Sequence, residues 1–221
     1  RGILFNKRKV KAQQLRWHSS TINKSILEYM SRDLSRTATR IHKAILGYCG
    51  DRTMAFPAML AQDILQKGLE IPELVDEIFV LLCKQLTHNP RPESMIRAWQ
   101  LICMCVGTFP PSRDFENYLL NFILNAIPEG GGGGAAANYA RYALRRLEGI
   151  MASGPSGFVP SVEEILAYKE RPPILATIVT VDGSPLTEDL PITPDLNVGK
   201  VVDICNHFME LVDPRKQFMG I

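Results

Sequence analysis

The stretch Leu82–Ser112, LCKQLTHNPRPESMIRAWQLICMCVGTFPPS, decides the fold. Leu82 and Leu86 continue an apolar stripe begun by Leu74, Val75, Ile78 and Phe79, at the three- and four-residue spacing of one helix face. Asn89-Pro90 ends that helix, because the residue before a proline is driven out of the α region and proline has no N–H to donate. Pro92 suits a first helical turn, and Met95, Ile96, Trp99, Ile102, Cys103 and Val106 then form a second wide stripe that runs to Pro110-Pro111. Ser112 reads as the N-cap of the next helix, with Asp114 where the helix dipole favours a negative charge. Helices with broad apolar faces and short proline turns pack as a bundle.

Upstream, Leu34, Ala38, Ile41, Ile45, Leu46 and Cys49 make another stripe that Gly50-Asp51 stops. Met59, Leu60, Ile64 and Leu65 mark a short helix with Gly68 after it, and Pro72 leads into the helix of Leu74 to Leu86. Downstream, Phe115, Tyr118, Leu119, Phe122 and Ile123 supply a buried face, and Tyr139 to Met151 forms a further amphipathic helix. Between them Gly130 to Ala137, GGGGGAAA, reads as a flexible surface tract.

The pattern then changes. Ser153-Gly154-Pro155-Ser156-Gly157 reads as a linker, and Ser161 with Glu164 makes a capping box for a brief helix. Ile174 to Val181 is a β-branched strand, Asp182-Gly183 a hairpin signal, and Leu186 to Ile192 the returning strand. A helix from about Asn197 to Val212 follows, and Phe218 to Ile221 starts a third strand. The expected fold is an all-α helical bundle followed by the beginning of a β-grasp (ubiquitin-like) α+β lobe. The expected division is a basic arm over 1–16, a helical domain over 17–170 and a partial lobe over 171–221.

Composition fits a soluble globular chain: 46% of the 221 residues are hydrophobic and 22% charged. No apolar run approaches the roughly 18–20 residues that span a bilayer, so no transmembrane segment is expected. The chain begins at Arg1 and not at Met, as an excerpt does. Cys49, Cys83, Cys103, Cys105 and Cys205 lack CxxC spacing and lie where small buried side chains fit, which points to reduced thiols and the cytoplasm. The net charge is +2 but unevenly spread. Residues 1–20 carry six cations and no acid, whereas residues 161–221 carry ten acidic and five basic side chains, so the two ends suit different partners.

No catalytic constellation emerges. His18, His42, His88 and His207 form no ligand pair, and His88 in the THNP turn is expected to fix a helix end by a backbone hydrogen bond. Neither GxxxxGK[ST] nor GxGxxG is present between a strand and a helix, so no nucleotide or other cofactor is expected. Trp99, on the stripe with Met95 and Cys103, reads as a core anchor, and Asp51 beside Arg52 as a turn with a surface ion pair. The informative charges are basic. Arg141 and Arg145 lie four apart with Arg146 adjoining, so at least two share one side of their helix. Such cations could hold an acidic polymer by long-range attraction and weak multiple contacts. Nucleic acid fits poorly, because basic and aromatic residues are not interleaved.

The order of these signals resembles the myosin-tail-homology-4 domain joined to a FERM module. The resemblance rests on ATRIHKAILGYCGDR (Ala38 to Arg52), on the block Leu82 to Ser112 with its KQLTHNP, Ala-Trp and FPPS features, on YARYALRRLEG, and on PSVEEILAYKERPPI leading into a ubiquitin-like hairpin. It covers about residues 17–221 and is shared with tails of class VII, X and XV myosins and of the plant and algal calmodulin-binding kinesin. It implies a non-catalytic binding module of a motor tail that engages microtubules (tubulin) or cargo-protein peptides, located in the cytoplasm on the cytoskeleton or in a cilium. It also brings Lys84, Arg91, Arg97 and Arg113 near one another, giving seven expected partner-binding residues with Arg141, Arg145 and Arg146. The competing expectation is a structural scaffold docked in a stable microtubule-based assembly such as a ciliary axoneme, without a motor domain.

Overall fold

Ser31 accepts the amide N–H of Leu34 and so opens α1, Arg32–Tyr48, which runs until Gly50 turns the chain at φ 78°. The computed structural model describes residues 14–28, 30–128, 134–168, 174–176, 179, 183, 190–192 and 198–208. The chain divides into two units, Arg1–Lys169 and Glu170–Ile221.

In the first unit α2 spans Pro57–Glu70, a 3-10 turn covers Pro72–Leu74, and α3 spans Val75–Leu86. Then come α4 (Pro92–Thr108), α5 (Arg113–Leu124), α6 (Gly134–Ser153) and α7 (Val162–Ala167). The caps are those the sequence signals. Ser112 accepts the amide of Phe115, and Ser161 and Glu164 form both hydrogen bonds of a capping box.

Several details depart from the sequence reading. Gly68 does not follow α2 but lies buried within it, because the ring of Phe109 packs where a side chain would stand. Of the apolar residues that mark α2, Ile64 and Leu65 are buried, with Ala58 and Ala61, but Met59 is 56% exposed. Tyr118 is also exposed, at 47%, and α5 is anchored by Leu119 and Ile123. Part of the Gly/Ala tract is helical: Gly134 to Ala137 opens α6, and Ala137 is buried. His88 contributes a left-handed backbone (φ 55°) but is exposed. Asn89 makes the bonds at the end of α3, donating to the Gln85 carbonyl at 3.0 Å and accepting the Arg91 amide at 2.9 Å.

The core runs through α1 to α6 with Phe79 and Phe109 edge-to-face at 5.7 Å, and Trp99 buried beside Phe122. All five cysteines are free and buried. Burial pushes the thiols of Cys49, Cys83 and Cys105 up, so they remain protonated. Contacts between α4 and α6 advance together along both helices. Gln100 donates to the Tyr139 hydroxyl at 2.9 Å, Cys103 donates to the Tyr139 carbonyl, and seven residues on Arg146 lies over Gly107. The two helices therefore run in the same direction.

The second unit holds an antiparallel pair, β1 (Ile174–Ala176) with β2 (Leu190–Ile192), followed by α8 (Val198–Phe208). The pairing Ile174↔Ile192, Leu175↔Pro191, Ala176↔Leu190 is symmetric about residue 183. Gly183 has φ 83°, a conformation that costs glycine little and L side chains more. Apart from Val179, which is exposed, the rest of the two expected strands and the strand expected at Phe218 to Ile221 lie outside the described residues.

Candidate functional site

The seven cations fall into separate places. On α6, Arg145 and Arg146 are exposed and Arg141 half-buried. Arg141 donates to the Asn138 side chain at 3.1 Å, and the Arg146 guanidinium covers Gly107 near the end of α4. Arg141 and Arg145, four residues apart, follow one side of α6, whereas Arg146 is turned towards α4.

Arg91 and Arg97 meet at the turn after α1. Arg91 pairs with Asp51 at 3.0 Å, and Arg97 donates to the Tyr48 carbonyl at 3.4 Å beside Gly50. Asp51 is not in a surface pair with Arg52. Its side chain is fully buried and also accepts from the Trp17 indole at 3.0 Å, the Ser94 hydroxyl at 2.7 Å and the Gln85 amide. Four donors converge on one carboxylate, which ties α1, α3 and α4 to the segment preceding them. Arg113 lies elsewhere. Its neighbour Ser112 binds Asp76 in the first turn of α3, whereas Arg91 lies beyond the last turn, about 18 Å away along a twelve-residue helix. Arg113 pairs with Glu116 at 3.7 Å.

Lys84 is no surface cation at all. It is 5% exposed and donates to the main-chain carbonyls of Gln14, at 2.7 Å, and Arg16. Burial lowers its pKa. It belongs to a set of side chains that hold Gln14 and an irregular strap, residues 15–28, across α1 and α3. Glu77, buried in the middle of the apolar face of α3, accepts the amides of Ile26 at 2.7 Å and Leu27 at 2.9 Å. His42 Nδ1 accepts the amide of Ile22 at 3.2 Å, Ser35 accepts that of Ser25 at 2.8 Å, and the Trp17 amide donates to the Thr87 carbonyl. Burial, with the Lys84 charge nearby, drives His42 down to about 4, and burial raises Glu77. Because the strap has no ladder of its own, these side chains replace the backbone partners it lacks.

Among the described residues no group of three His, Cys, Asp or Glu could hold a metal, and no helix is long and apolar enough to cross a membrane. The arrangement offers positive surface and a braced scaffold. Comparison with known proteins says which scaffold it is. Residues 61–167 match the MyTH4 domain.

This chain carries a MyTH4 domain.

Its relatives are myosins and a kinesin-like protein. The high molecular weight form of myosin-1 from Acanthamoeba castellanii is 35% identical over 167 residues, 76% of this chain and 10% of that protein. Kinesin-like protein KIN-14E from Arabidopsis thaliana is 33% identical over 147 residues, 62% of this chain and 12% of that protein. The chain thus spans about a tenth of the length of the curated relatives it matches. Among solved structures, the Dictyostelium discoideum myosin VII MyTH4-FERM MF1 domain (mutant 2) superposes with TM-score 0.73 at 28% identity, over 87% of this chain and 40% of that one. The human myosin 7b C-terminal MyTH4-FERM domain in complex with harmonin-a PDZ3 gives 0.67 at 26% identity, over 90% and 40%.

Sequence reasoning did not identify the residues that brace the strap against the helices of this MyTH4-containing chain. Two signals were available: Glu77 interrupts the apolar stripe of Leu74 to Phe79, and His42 sits next to Ile41 on the stripe of α1. A charged or titratable side chain at a core-facing position needs a partner, and here the partner is backbone from 20 to 51 residues away.

Proposed function

We propose that the chain is a non-catalytic protein-binding module of a cytoskeletal motor tail, engaging microtubules or cargo proteins through Arg141, Arg145 and Arg146 of α6. Exposed Arg91, Arg97 and Arg113 would add to the positive surface, each weakened by its own local partner. In this reading Glu170–Ile221 begins the β-grasp first lobe of a FERM module, which the hairpin pairing and following helix support. The module would act on the cytoskeleton as part of a larger polypeptide.

The observation that carries the reading is the likeness, over 90% of this chain, to a MyTH4-FERM domain solved with a bound protein. The microtubule version rests on charge: cations spread along one helix attract an acidic polymer, and salt screens that attraction over about 10 Å at 0.1 M. Co-sedimentation with polymerised tubulin should show binding at low salt that falls as salt rises. The variant R141E/R145E/R146E should stay in the supernatant. Absence of binding at low salt, or binding indifferent to the triple substitution, overturns the microtubule reading.

A further inference from the structure

Arg32, Arg36 and Arg40 stand four residues apart on α1, so they follow one face with a rise of about 6 Å per step. All three are exposed. With exposed Lys24 of the strap they line an open groove of about 1160 Å³ between the strap and α1. Glu28 is the single carboxylate among the described lining residues. Asp33 bonds Arg36 at 3.2 Å, while Arg32, Arg40 and Lys24 have no acidic partner among the described residues. Like charges at four-residue spacing repel one another and weaken the helix that carries them, which an anion laid along them relieves.

We propose that this groove docks an acidic peptide segment in extended form, with carboxylates at alternating positions. An extended chain advances about 3.3 Å per residue, so side chains on one edge recur at about 6.6 Å, close to the rise between successive arginines. The groove is preformed, because Lys84, His42, Ser35 and Glu77 fix the strap that makes its other wall. Its described lining contains no Phe, Tyr or Trp on which a nucleic-acid base could stack. None of the large exposed apolar side chains of the described residues lies in it, so it has no anchor for a lipid surface. The surface is distinct from the arginines of α6 and needs none of them.

The test is fluorescence anisotropy of a labelled peptide of alternating Glu and Ser, titrated with the whole chain. Binding should weaken as salt rises, R32E/R36E/R40E should lose about tenfold or more in affinity, and R141E/R145E/R146E should bind as the parent does. That last arm separates this groove from the α6 reading, since either can fail alone. Circular dichroism and thermal melting check that the variants fold. If the triple reversal does not fold, Arg40→Gln and hydrogen exchange on the parent chain decide: peptide-induced protection across residues 20–40 supports the groove, and protection elsewhere overturns it. Equal binding by R32E/R36E/R40E overturns the proposal. So does tighter, arginine-dependent binding of oligo-dT or of phosphatidylserine vesicles than of the peptide.

Discussion

The ring of Phe109 occupies the space that a side chain on Gly68 would fill: a Cβ built there would lie 2.2 Å from its Cε1. Alanine at 68 would favour the helix by about 1 kcal/mol. Forcing a methyl group into a closed core costs about 1–3 kcal/mol. The clash should prevail, because Phe109 is buried against Phe79 and has nowhere to retreat. Gly68→Ala should therefore lower unfolding stability by up to about 2 kcal/mol, the net of the two effects, in urea titration. In a Phe109→Leu background the same change should cost less. An alanine variant as stable as the parent would show that the ring moves freely.

Asp51 and Arg91 form an ion pair of unequal members, one carboxylate fully buried and one guanidinium half-exposed. Asp51→Asn removes the charge on which Trp17, Ser94, Gln85 and Arg91 converge, and should cost about 1.5–3 kcal/mol. Arg91→Ala should cost under about 1 kcal/mol, because solvent screens its half of the pair. Chemical denaturation of the two variants compares them directly, and the reverse order would refute the assignment of Asp51 as the hub.

Acid should loosen the strap through His42. Its folded pKa is depressed to about 4 from 6.5, so the unfolded chain binds the proton more readily. Stability is complete above pH 6.5 and falls as pH drops from there towards 4, by a total of about 3 kcal/mol for this group. Protonation also removes the Nδ1 lone pair that accepts the Ile22 amide. Glu77 acts in the opposite sense, since its raised folded pKa favours the native state once it protonates. Denaturation midpoints measured across this range should slope downward with acid, and His42→Gln should flatten the slope. An unchanged slope in that variant would exclude His42 as its source.

Glu77 holds Ile26 and Leu27 with two charge-assisted bonds. Glu77→Ala should speed hydrogen exchange at those two amides by about tenfold or more, with little change in the amides of α4. Uniform acceleration along the chain would mean that Glu77 supports the whole bundle and not the strap.

Helix positions were legible wherever proline, glycine or a capping serine punctuated an apolar stripe, as at Pro92, Gly50, Ser112 and Ser161. Periodicity assigns a face but not its edges, so Tyr118 read as part of a buried face although it is 47% exposed. Gly68 misled because glycine both ends helices and admits a close neighbour, and only the position of Phe109 distinguishes the two. Lys84 read as a surface cation since nothing local signals that its ammonium meets Gln14 and Arg16. The strap was invisible for the same reason. It has no period, and every side chain that holds it comes from a distant helix.

Those separations bear on the order of folding. The bonds from Glu77 to Ile26 and Leu27, from Lys84 to Gln14 and Arg16, and from Asp51 to Trp17 bridge 34 to 70 residues, while the strap makes no regular structure that could form early. Closing such loops costs entropy before any contact rewards it. The helices are expected to collapse first, with Glu77, Lys84 and His42 still hydrated at the margin of an unfinished core. Docking of residues 14–28 then seals those groups from water, so the last step of folding is also the one that completes the polar interior.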